Sequence, residues 1–173
     1  MEKIFYTEKN KFLSTEDALR YILPHYFNRG NTDVYRNESG KPYLTDANGL
    51  FFSVSHTKEM LFLAFSDENV GIDAERLDRE IHLNLLLKRF PQEERREIAD
   101  EKEFLRHWVV KESAVKWLGG SLAHDLDKLL FYKNELFYND VQIPVFLTFK
   151  EISGHVLCVC GERDFENAEI IRL

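Results

Sequence analysis

Two acidic residues, Asp73 and Glu75, alternate in the segment VGIDAER. If this segment is a β-strand, both side chains leave the same face about 7 Å apart, while Ile72 and Ala74 point to the other face. Two carboxylates placed in this way can hold one cation between them. A half-exposed strand with a solvated acidic face explains the same pattern, so this segment alone leaves both interpretations open.

A third carboxylate, Glu112, lies in the segment EKEFLRHWVVKESAVKWL, whose apolar residues recur with a helical period. At about 100° per residue, Glu112 falls within the apolar face that Phe104 and Trp108 mark. A carboxylate on such a face is costly unless it is compensated. Lys111 and Lys116 flank it, and a buried ion pair between Glu112 and Lys116 is the alternative to a metal site.

Asp73, Glu75 and Glu112 predict a magnesium site if the strand and the helix pack together. Three carboxylates in one place repel one another and take up protons unless a cation neutralises them. Mg²⁺ takes oxygen ligands and often completes its shell with water and substrate phosphate oxygens, whereas zinc favours histidine and cysteine. The chemistry expected is therefore transfer at a phosphate or pyrophosphate, with nearby lysines sharing the negative charge.

Further candidates for phosphate binding lie before the acidic strand. The segment FFSVSHTKEM places Ser55 and His56 at the end of a predicted strand. In an antiparallel meander that strand lies two strands from the one carrying Asp73, roughly 10 Å away, which suits opposite ends of one ligand. Lys41, in the tripeptide GKP, would present a cation from a rigid turn. A solvated histidine and an ordinary turn are the alternatives.

The composition argues against several classes of function. A net charge of −7 and a pI near 5.4 disfavour general nucleic-acid binding, which needs clustered lysine and arginine. No stretch approaches the roughly 18 to 20 apolar residues of a membrane span, and the start lacks the apolar run of a signal peptide, so we expect a cytoplasmic protein. The sequence also lacks a Walker-type glycine loop, a G-x-G-x-x-G motif and a G-x-S-x-G elbow.

The elements that would position these residues predict an α+β fold. A helix is expected from Ser14, where a capping-box-like pattern begins, and helices dominate the middle third up to two glycines that suit a C-cap. Cys158 and Cys160 alternate in a strand-like run and are expected to be core thiols. An antiparallel meander is expected from the strands Leu50–Ser55, Met60–Ser66 and Val70–Glu75. Further strands are expected at Leu129–Lys133, Leu136–Tyr138, Pro144–Lys150, His155–Cys160 and Ala168–Arg172. We expect two α+β halves packed side by side, 1–70 and 71–173.

Four motifs occur in one order: GKP at 40–42, FSVSH at 52–56, GIDAE at 71–75 and WVVKESAVK at 108–116. As an ordered set they resemble the signature of the 4′-phosphopantetheinyl transferases, specifically the surfactin-synthetase-activator, or Sfp-like, type. The last two motifs are the specific ones. The resemblance implies two halves related by a pseudo-two-fold axis, each with a helix packed on an antiparallel sheet. The first half is expected to be shortened, because only residues 1–70 precede Gly71.

The resemblance also implies a reaction, the transfer of the phosphopantetheine arm of coenzyme A to a serine of an acyl or peptidyl carrier protein, with release of 3′,5′-ADP. Carrier activation of this kind belongs to fatty acid, polyketide and nonribosomal peptide biosynthesis. Asp73, Glu75 and Glu112 would bind Mg²⁺ against the pyrophosphate. Glu112, or a metal-bound water, would deprotonate the serine, with Lys116 as the second catalytic residue. The residues implied in coenzyme A binding are Lys41, Ser55, His56, Lys111 and Lys116, with Arg29 and Arg36 as further candidates for the 3′-phosphate.

Carrier proteins of this kind are acidic, so an enzyme with a net charge of −7 needs a local basic patch to dock one. Lys88 and Arg89, beside Leu85, Leu86 and Phe90, are the predicted docking residues, although a solvated helical surface explains them as well. We expect a monomer that binds coenzyme A and a carrier protein, without nucleic acid or membrane. The alternatives are a catalytically silent coenzyme A-binding or regulatory homologue and a different Mg²⁺-dependent phosphohydrolase.

Overall fold

The computed structural model describes residues 1–173, apart from the side chain of Asn84. The helices are α1 (Thr15–Phe27), α2 (Leu83–Leu86), α3 (Gln92–Arg95), α4 (Glu101–Leu118) and α5 (Leu122–Asp125). The strands are β1 (Lys3–Glu8), β2 (Val34–Arg36), β3 (Pro42–Leu44), β4 (Phe51–His56), β5 (Met60–Ser66), β6 (Val70–Arg76), β7 (Leu129–Tyr132), β8 (Glu135–Tyr138), β9 (Val141–Gln142), β10 (Phe146–Ile152), β11 (His155–Gly161) and β12 (Glu169–Arg172). Short 3₁₀ turns lie at Lys9–Lys11, Leu87–Arg89 and Leu126–Lys128.

Helix α1 packs on a sheet whose strand order is β12-β1-β5-β4. Its predicted start is confirmed, because the Ser14 side chain accepts a hydrogen bond from the amide of Asp17 at 3.1 Å and so satisfies one of the unpaired amides of the first turn. Pro24 lies inside the helix without ending it. The buried face of α1 and the sheet share one apolar cluster, which includes Ala18, Leu19, Ile22, Leu23, Phe5, Leu63 and Phe65.

Helix α4 packs on a second sheet, in the order β10-β11-β6. Asp100 caps its first turn by accepting a hydrogen bond from the amide of Glu103 at 2.9 Å. The helix ends at Gly119, which adopts the left-handed conformation with a φ of 69°. Side chains are disfavoured at such a φ, so the predicted glycine C-cap is confirmed. The apolar side chains of α4 pack in one cluster with the side chains of β11 that point toward the helix.

The two sheets pack face to face through a further apolar cluster, which includes Ile4, Phe62, Ala64, Ile72, Leu157 and Val159. The layers therefore run from α1 through the first sheet and the second sheet to α4. Each half consists of a helix packed on a sheet, as predicted, and the α+β class is confirmed.

The predicted meander is wrong in its third strand. β4 and β5 form an antiparallel hairpin, with Ser55 opposite Phe62. β6 instead pairs antiparallel with β11, with Asp73 opposite Cys158. The physical reason is burial on both faces of β6, because one face packs on the first sheet and the other is covered by α4. The expected separation of two strands between Ser55 and Asp73 therefore does not hold.

Strands β1 and β12 pair in parallel, with Lys3 opposite Glu169. Strand β1 is not among the strands expected from the sequence, and the expectation of β12 does not include its partner. The division of the chain into 1–70 and 71–173 stays a prediction, and β12 lies in the sheet that carries α1.

Small sheets and buried thiols complete the fold. β2 and β3 form a hairpin before β4, and β7, β8 and β9 form a separate antiparallel sheet. Cys158 and Cys160 are buried and free, which confirms the prediction of core thiols. Within the residues that the structure describes, no helix is both long enough and apolar enough to cross a membrane.

Candidate active site

The three predicted metal ligands come together where helix α4 crosses strand β6. Asp73 and Glu75 belong to β6, and Glu112 belongs to α4. Each of the three offers a ligand atom, and these atoms lie within 4.8 Å of one another. Asp73 is buried, whereas Glu75 and Glu112 are half-buried. The prediction that these three carboxylates lie together is therefore confirmed.

Burial and mutual repulsion raise the pKa values of two of these carboxyls. Burial, followed by the charge of Asp73, raises the pKa of Glu112 to about 7. Burial also raises the pKa of Glu75, against the opposing effect of Arg79, whose guanidinium donates to Glu75 Oε1. Like charges packed at this distance favour either protonation or a bound cation.

Asp73 has one oxygen held by the protein and one left for a ligand. Its Oδ1 accepts hydrogen bonds from Ser55 Oγ at 2.9 Å and from Lys116 Nζ at 2.7 Å. Its Oδ2 is buried and has no hydrogen-bond partner among the described residues. Because an unpaired buried carboxylate oxygen is costly, this atom marks the position at which a cation would bind.

The donor set fits Mg²⁺. Carboxylate oxygens suit hard cations such as Mg²⁺, whereas zinc and copper sites draw on histidine and cysteine. Three protein carboxylates leave coordination positions for water and for the oxygens of a phosphate ligand, which is the usual arrangement for Mg²⁺ in phosphate chemistry.

Lys116 lies beside the carboxylates and pairs with Asp73 rather than with Glu112. Its ammonium donates to Asp73 Oδ1 and, at 2.9 Å, to the carbonyl oxygen of Ile72. An ammonium carries three N–H donors, so one remains for a phosphate oxygen, and the side chain is 28% exposed. The alternative of an isolated Glu112–Lys116 ion pair is therefore not what the structure shows.

Lys111 does not lie beside the predicted phosphate site. Its ammonium is fully buried and donates to Glu94 Oε2 at 2.9 Å and to the carbonyl oxygen of Leu129 at 2.6 Å. The ring of His107 contacts the other oxygen of Glu94 at 3.0 Å. The physical reason is helix geometry, because consecutive residues differ by about 100° and Lys111 leaves α4 on a different side from Glu112. Lys111 neutralises a buried carboxylate in the structure.

Ser55 lies next to the predicted metal ligands rather than at the far end of a bound ligand. Its Oγ is 2.9 Å from Asp73 Oδ1 because β4 runs beside β6, whereas the predicted separation was roughly 10 Å. Ser55 is 3% exposed, so its hydroxyl is enclosed by protein.

His56 is exposed at the end of β4, where its Nε2 lies 3.2 Å from Thr15 Oγ1. Partial burial of the ring lowers its pKa, and the nearby charges of Lys9, Lys116 and Arg36 lower it further. Such a concentration of positive charge is typical of an anion-binding site.

Lys41 uses its ammonium within the protein. Nζ donates to Asn69 Oδ1 at 2.8 Å and to the carbonyl oxygens of Val70 and Trp117 at 3.2 and 3.4 Å. All three donors are thus engaged, which differs from the predicted contact with a nucleotide. Burial lowers the pKa of Lys41 to about 8. The side chain links the loop before β3 to the start of β6 and the end of α4.

The two arginine candidates differ in their availability. Arg29 donates to three backbone carbonyl oxygens at residues 46–48. Arg36 donates to the Gly40 carbonyl oxygen and to Glu16, and its side chain is 51% exposed. Arg36 is therefore the one that could turn toward an anion.

Two hollows flank the carboxylates. A cleft of about 270 Å³ opens beside Lys116 and is lined in part by Thr15, Arg36, Lys41, His56, Lys116 and Gly120. A second hollow of about 460 Å³ lies on the Glu75 side and is lined in part by His56, Lys58, Glu75, Arg76 and Arg79. Both hollows reach His56, and the carboxylate of Glu75 lines the second one.

The predicted docking residues Lys88 and Arg89 are exposed at the turn after α2 and, in the described part of the chain, form no ion pair. Leu85 beside them is 65% exposed. Phe90, by contrast, is 2% exposed and packs against Phe104 of α4. Phe90 therefore anchors this segment to the core, and the accessible surface consists of Leu85, Lys88 and Arg89.

Two residues beside the site were not predicted. Arg79 pairs with Glu75 four positions earlier, and that charge spacing is a signal visible in the sequence. Thr15 contacts His56 across 41 positions of sequence, and no local pattern indicates such a contact.

Comparison with known proteins agrees with the site. Residues 69–160 match the family model of the 4′-phosphopantetheinyl transferase superfamily. 4′-Phosphopantetheinyl transferase ffp of Bacillus subtilis is 24% identical over 176 residues, which cover 88% of this chain and 78% of that protein. 4′-Phosphopantetheinyl transferase Sfp of Bacillus subtilis (strain 168) is 24% identical over 174 residues, with coverages of 87% and 77%. 4′-Phosphopantetheinyl transferase HetI of Nostoc sp. is 32% identical over 132 residues, with coverages of 69% and 56%.

The matched region contains β6, α4 and β11, the elements that carry and support the carboxylate cluster. It spans more than half of the chain. The chain belongs to the 4′-phosphopantetheinyl transferase superfamily, and its relatives confirm the Sfp-like type of transferase that the motifs predicted.

Proposed function

We propose that the protein transfers the 4′-phosphopantetheine group of coenzyme A to a serine hydroxyl of an acyl or peptidyl carrier protein, with Mg²⁺ as the metal and 3′,5′-ADP as the second product. The carboxylate cluster is the observation that supports this most strongly. Asp73, Glu75 and Glu112 offer ligand atoms within 4.8 Å of one another, and a buried Asp73 oxygen has no partner in the described residues.

The residues around the cluster suit a pyrophosphate ligand. Asp73, Glu75 and Glu112 would hold Mg²⁺, which when bound neutralises the carboxylates and polarises phosphate oxygens. Lys116, whose ammonium engages only the Ile72 carbonyl oxygen and Asp73 Oδ1 in the described residues, would donate its remaining N–H to a phosphate oxygen. His56 and Arg36 would bind the 3′-phosphate at the cleft of about 270 Å³, where partial burial and then nearby positive charge lower the pKa of His56.

In the proposed reaction the oxygen of the carrier serine attacks the coenzyme A phosphorus that carries the pantetheine arm. A P–O bond to the serine forms, the P–O bond within the pyrophosphate breaks, and 3′,5′-ADP leaves with the bonding electrons. The serine proton passes to Glu112 acting as general base. The side chain of Glu112 makes no hydrogen bond within the described residues, so a carboxylate oxygen that does not hold the metal can accept that proton. Lys116 stabilises negative charge on the transferred group.

The test is incubation with coenzyme A, Mg²⁺ and an apo carrier protein. We expect the carrier to gain the mass of one phosphopantetheine group and 3′,5′-ADP to appear in equal amount, and we expect EDTA or Glu112→Gln to abolish both. No mass gain with a panel of acyl and peptidyl carriers would refute the proposal. A silent homologue would bind coenzyme A in calorimetry without modifying the carrier, and a phosphohydrolase would release phosphate in the absence of a carrier.

Carrier docking is proposed at Lys88 and Arg89, whose exposed charges complement an acidic partner. We further propose that the protein acts as a monomer, because β4, β6 and α4, which surround the cleft, all come from one chain. The cytoplasmic location stays a prediction.

A further inference from the structure

Two serines of β4 join the first sheet to the second. Ser53 Oγ accepts a hydrogen bond from the amide of Ile72 at 3.0 Å, and Ser55 Oγ accepts one from the amide of Ala74 at 3.2 Å. Both amides belong to β6, whose backbone ladder runs to β11 on its other side. Side-chain hydroxyls therefore replace a backbone ladder along this border, which we call the serine seam (Ser53, Ser55, Ile72 and Ala74).

The two seam serines differ in the hydrogen bonds that their hydroxyl groups donate. Ser55 donates its hydroxyl proton to Asp73 Oδ1 at 2.9 Å, whereas Ser53 makes no contact of this kind with a carboxylate among the described residues. Lys116 donates to the same Asp73 oxygen. With Oδ1 held from two sides, the carboxylate cannot rotate freely, and Oδ2 remains buried and unpartnered in the described part of the chain.

We propose that Ser55 is a positioning residue that orients Asp73 so that Oδ2 faces the metal, and this inference rests on the Mg²⁺ site of the proposed function. Hydrogen bonds to metal-ligating carboxylates fix their orientation, and their loss commonly costs about 10- to 100-fold in metal affinity. The single hydroxyl proton of Ser55 is committed to Asp73, and Ser55 is 3% exposed. Ser55 therefore acts on the metal ligand rather than on a phosphate of the substrate.

The chain offers a matched control. Ser53→Ala and Ser55→Ala each remove one hydroxyl that accepts a β6 amide, but only Ser55→Ala removes the donor to Asp73. We expect both variants to lower the melting temperature by similar amounts, since each leaves one β6 amide unpaired. We expect Ser55→Ala alone to weaken Mg²⁺ binding by about 10-fold or more, and Ser53→Ala by less than about 3-fold.

Mg²⁺ binding is measured by calorimetry on the full chain without coenzyme A, so the readout does not depend on transfer. Ser55→Thr keeps a hydroxyl and is expected to restore most of the affinity. Coenzyme A binding in EDTA is the second measurement, and it is expected to be equal in wild type and Ser55→Ala. A selective loss of Mg²⁺ affinity in Ser55→Ala supports the inference.

Two results would overturn it. If Ser53→Ala and Ser55→Ala weaken Mg²⁺ binding equally, the seam is only structural. If Ser55→Ala weakens coenzyme A binding in EDTA and leaves Mg²⁺ affinity unchanged, Ser55 is a substrate ligand. Either result is compatible with normal transfer by the wild type, whereas failure of the proposed function appears separately as the absence of carrier modification by wild type.

Discussion

Gly71 of strand β6 lies against the backbone of helix α4 at Ser113, with no space for a side chain between them. A Cβ atom at Gly71 would overlap the Ser113 carbonyl oxygen and lie 2.5 Å from the amide nitrogen of Trp117. A glycine in a strand often marks such a close approach of another backbone. The separation of β6 and α4 therefore depends on the absence of a side chain at Gly71. The distance between Asp73 and Glu112 depends on it as well.

Gly71→Ala is expected to push α4 away from β6 and to separate Glu112 from Asp73. We expect a loss of about 1 to 3 kcal/mol in the free energy of unfolding, as for other overpacked sites, and a loss of most Mg²⁺ affinity. Denaturant unfolding and calorimetry measure the two effects. Gly30→Ala is the control, since a Cβ there meets nothing within 4 Å. Unchanged Mg²⁺ affinity in Gly71→Ala would show that the metal site does not need this close approach.

Glu112→Gln is expected to stabilise the metal-free protein relative to wild type as the pH rises. The folded-state pKa of Glu112 is about 7, above its ordinary value of 4.5, so the folded state holds this proton more tightly than the unfolded chain. The contribution of Glu112 to stability is fully present below pH 4.5 and is lost as the pH rises through about 7.

Melting temperatures in EDTA at several pH values measure this effect, because glutamine cannot lose a proton. The wild type should lose stability relative to Glu112→Gln between about pH 5 and pH 8. Added Mg²⁺ should then stabilise the wild type and not the variant, since ligand binding to the folded state raises its stability. A difference between the two proteins that stays constant with pH in EDTA would contradict the raised pKa.

Lys111→Met is expected to destabilise the protein severely, because Glu94 would remain buried without its ammonium partner. Breaking a buried ion pair from one side typically costs about 3 to 5 kcal/mol. The double variant Lys111→Met with Glu94→Gln should recover part of that loss, as chemical denaturation can show. If Lys111 instead bound a phosphate, the single variant would keep its stability and show only a higher KM for coenzyme A.

Charge reversal at Lys88 and Arg89 is expected to raise the KM for the carrier protein by about 10-fold or more, with little change in the KM for coenzyme A. The reason is that charges at the edge of an interface act mainly on the encounter with a charged partner. Transfer kinetics at low and high salt measure this, and the salt dependence should shrink in the variant. Arg172→Glu on β12, whose side chain is 68% exposed, is the control. Equal carrier KM values for all three proteins would place docking elsewhere.

The carboxylate cluster was the part of the site most accessible from the sequence. The alternation of Asp73 and Glu75 and the helical position of Glu112 are local patterns, and strand and helix geometry translate such patterns directly into directions in space. The same holds for the Ser14 cap and the Gly119 C-cap, which depend on residues within one turn of helix.

Contacts between distant segments could not be predicted in this way. The motif resemblance implies that Lys41 and Lys111 bind coenzyme A, yet their ammonium groups bind Asn69 and Glu94, 28 and 17 positions away. The packing of β4 beside β6, which brings Ser55 against Asp73, likewise depends on how the two sheets meet. The residue type shows that a side chain is positively charged. Which anion or dipole it contacts depends on tertiary packing.

The pairing of β1 with β12 joins residues that are 166 positions apart, such as Lys3 and Glu169. A pairing between segments so far apart in sequence is a nonlocal contact, and nonlocal contacts slow folding. We therefore expect the first sheet to be complete only once β12 has been added. A fragment that stops before β6 would leave the β1 edge open to strands of other molecules. We therefore expect a chain that lacks β12 to aggregate more readily than the full chain.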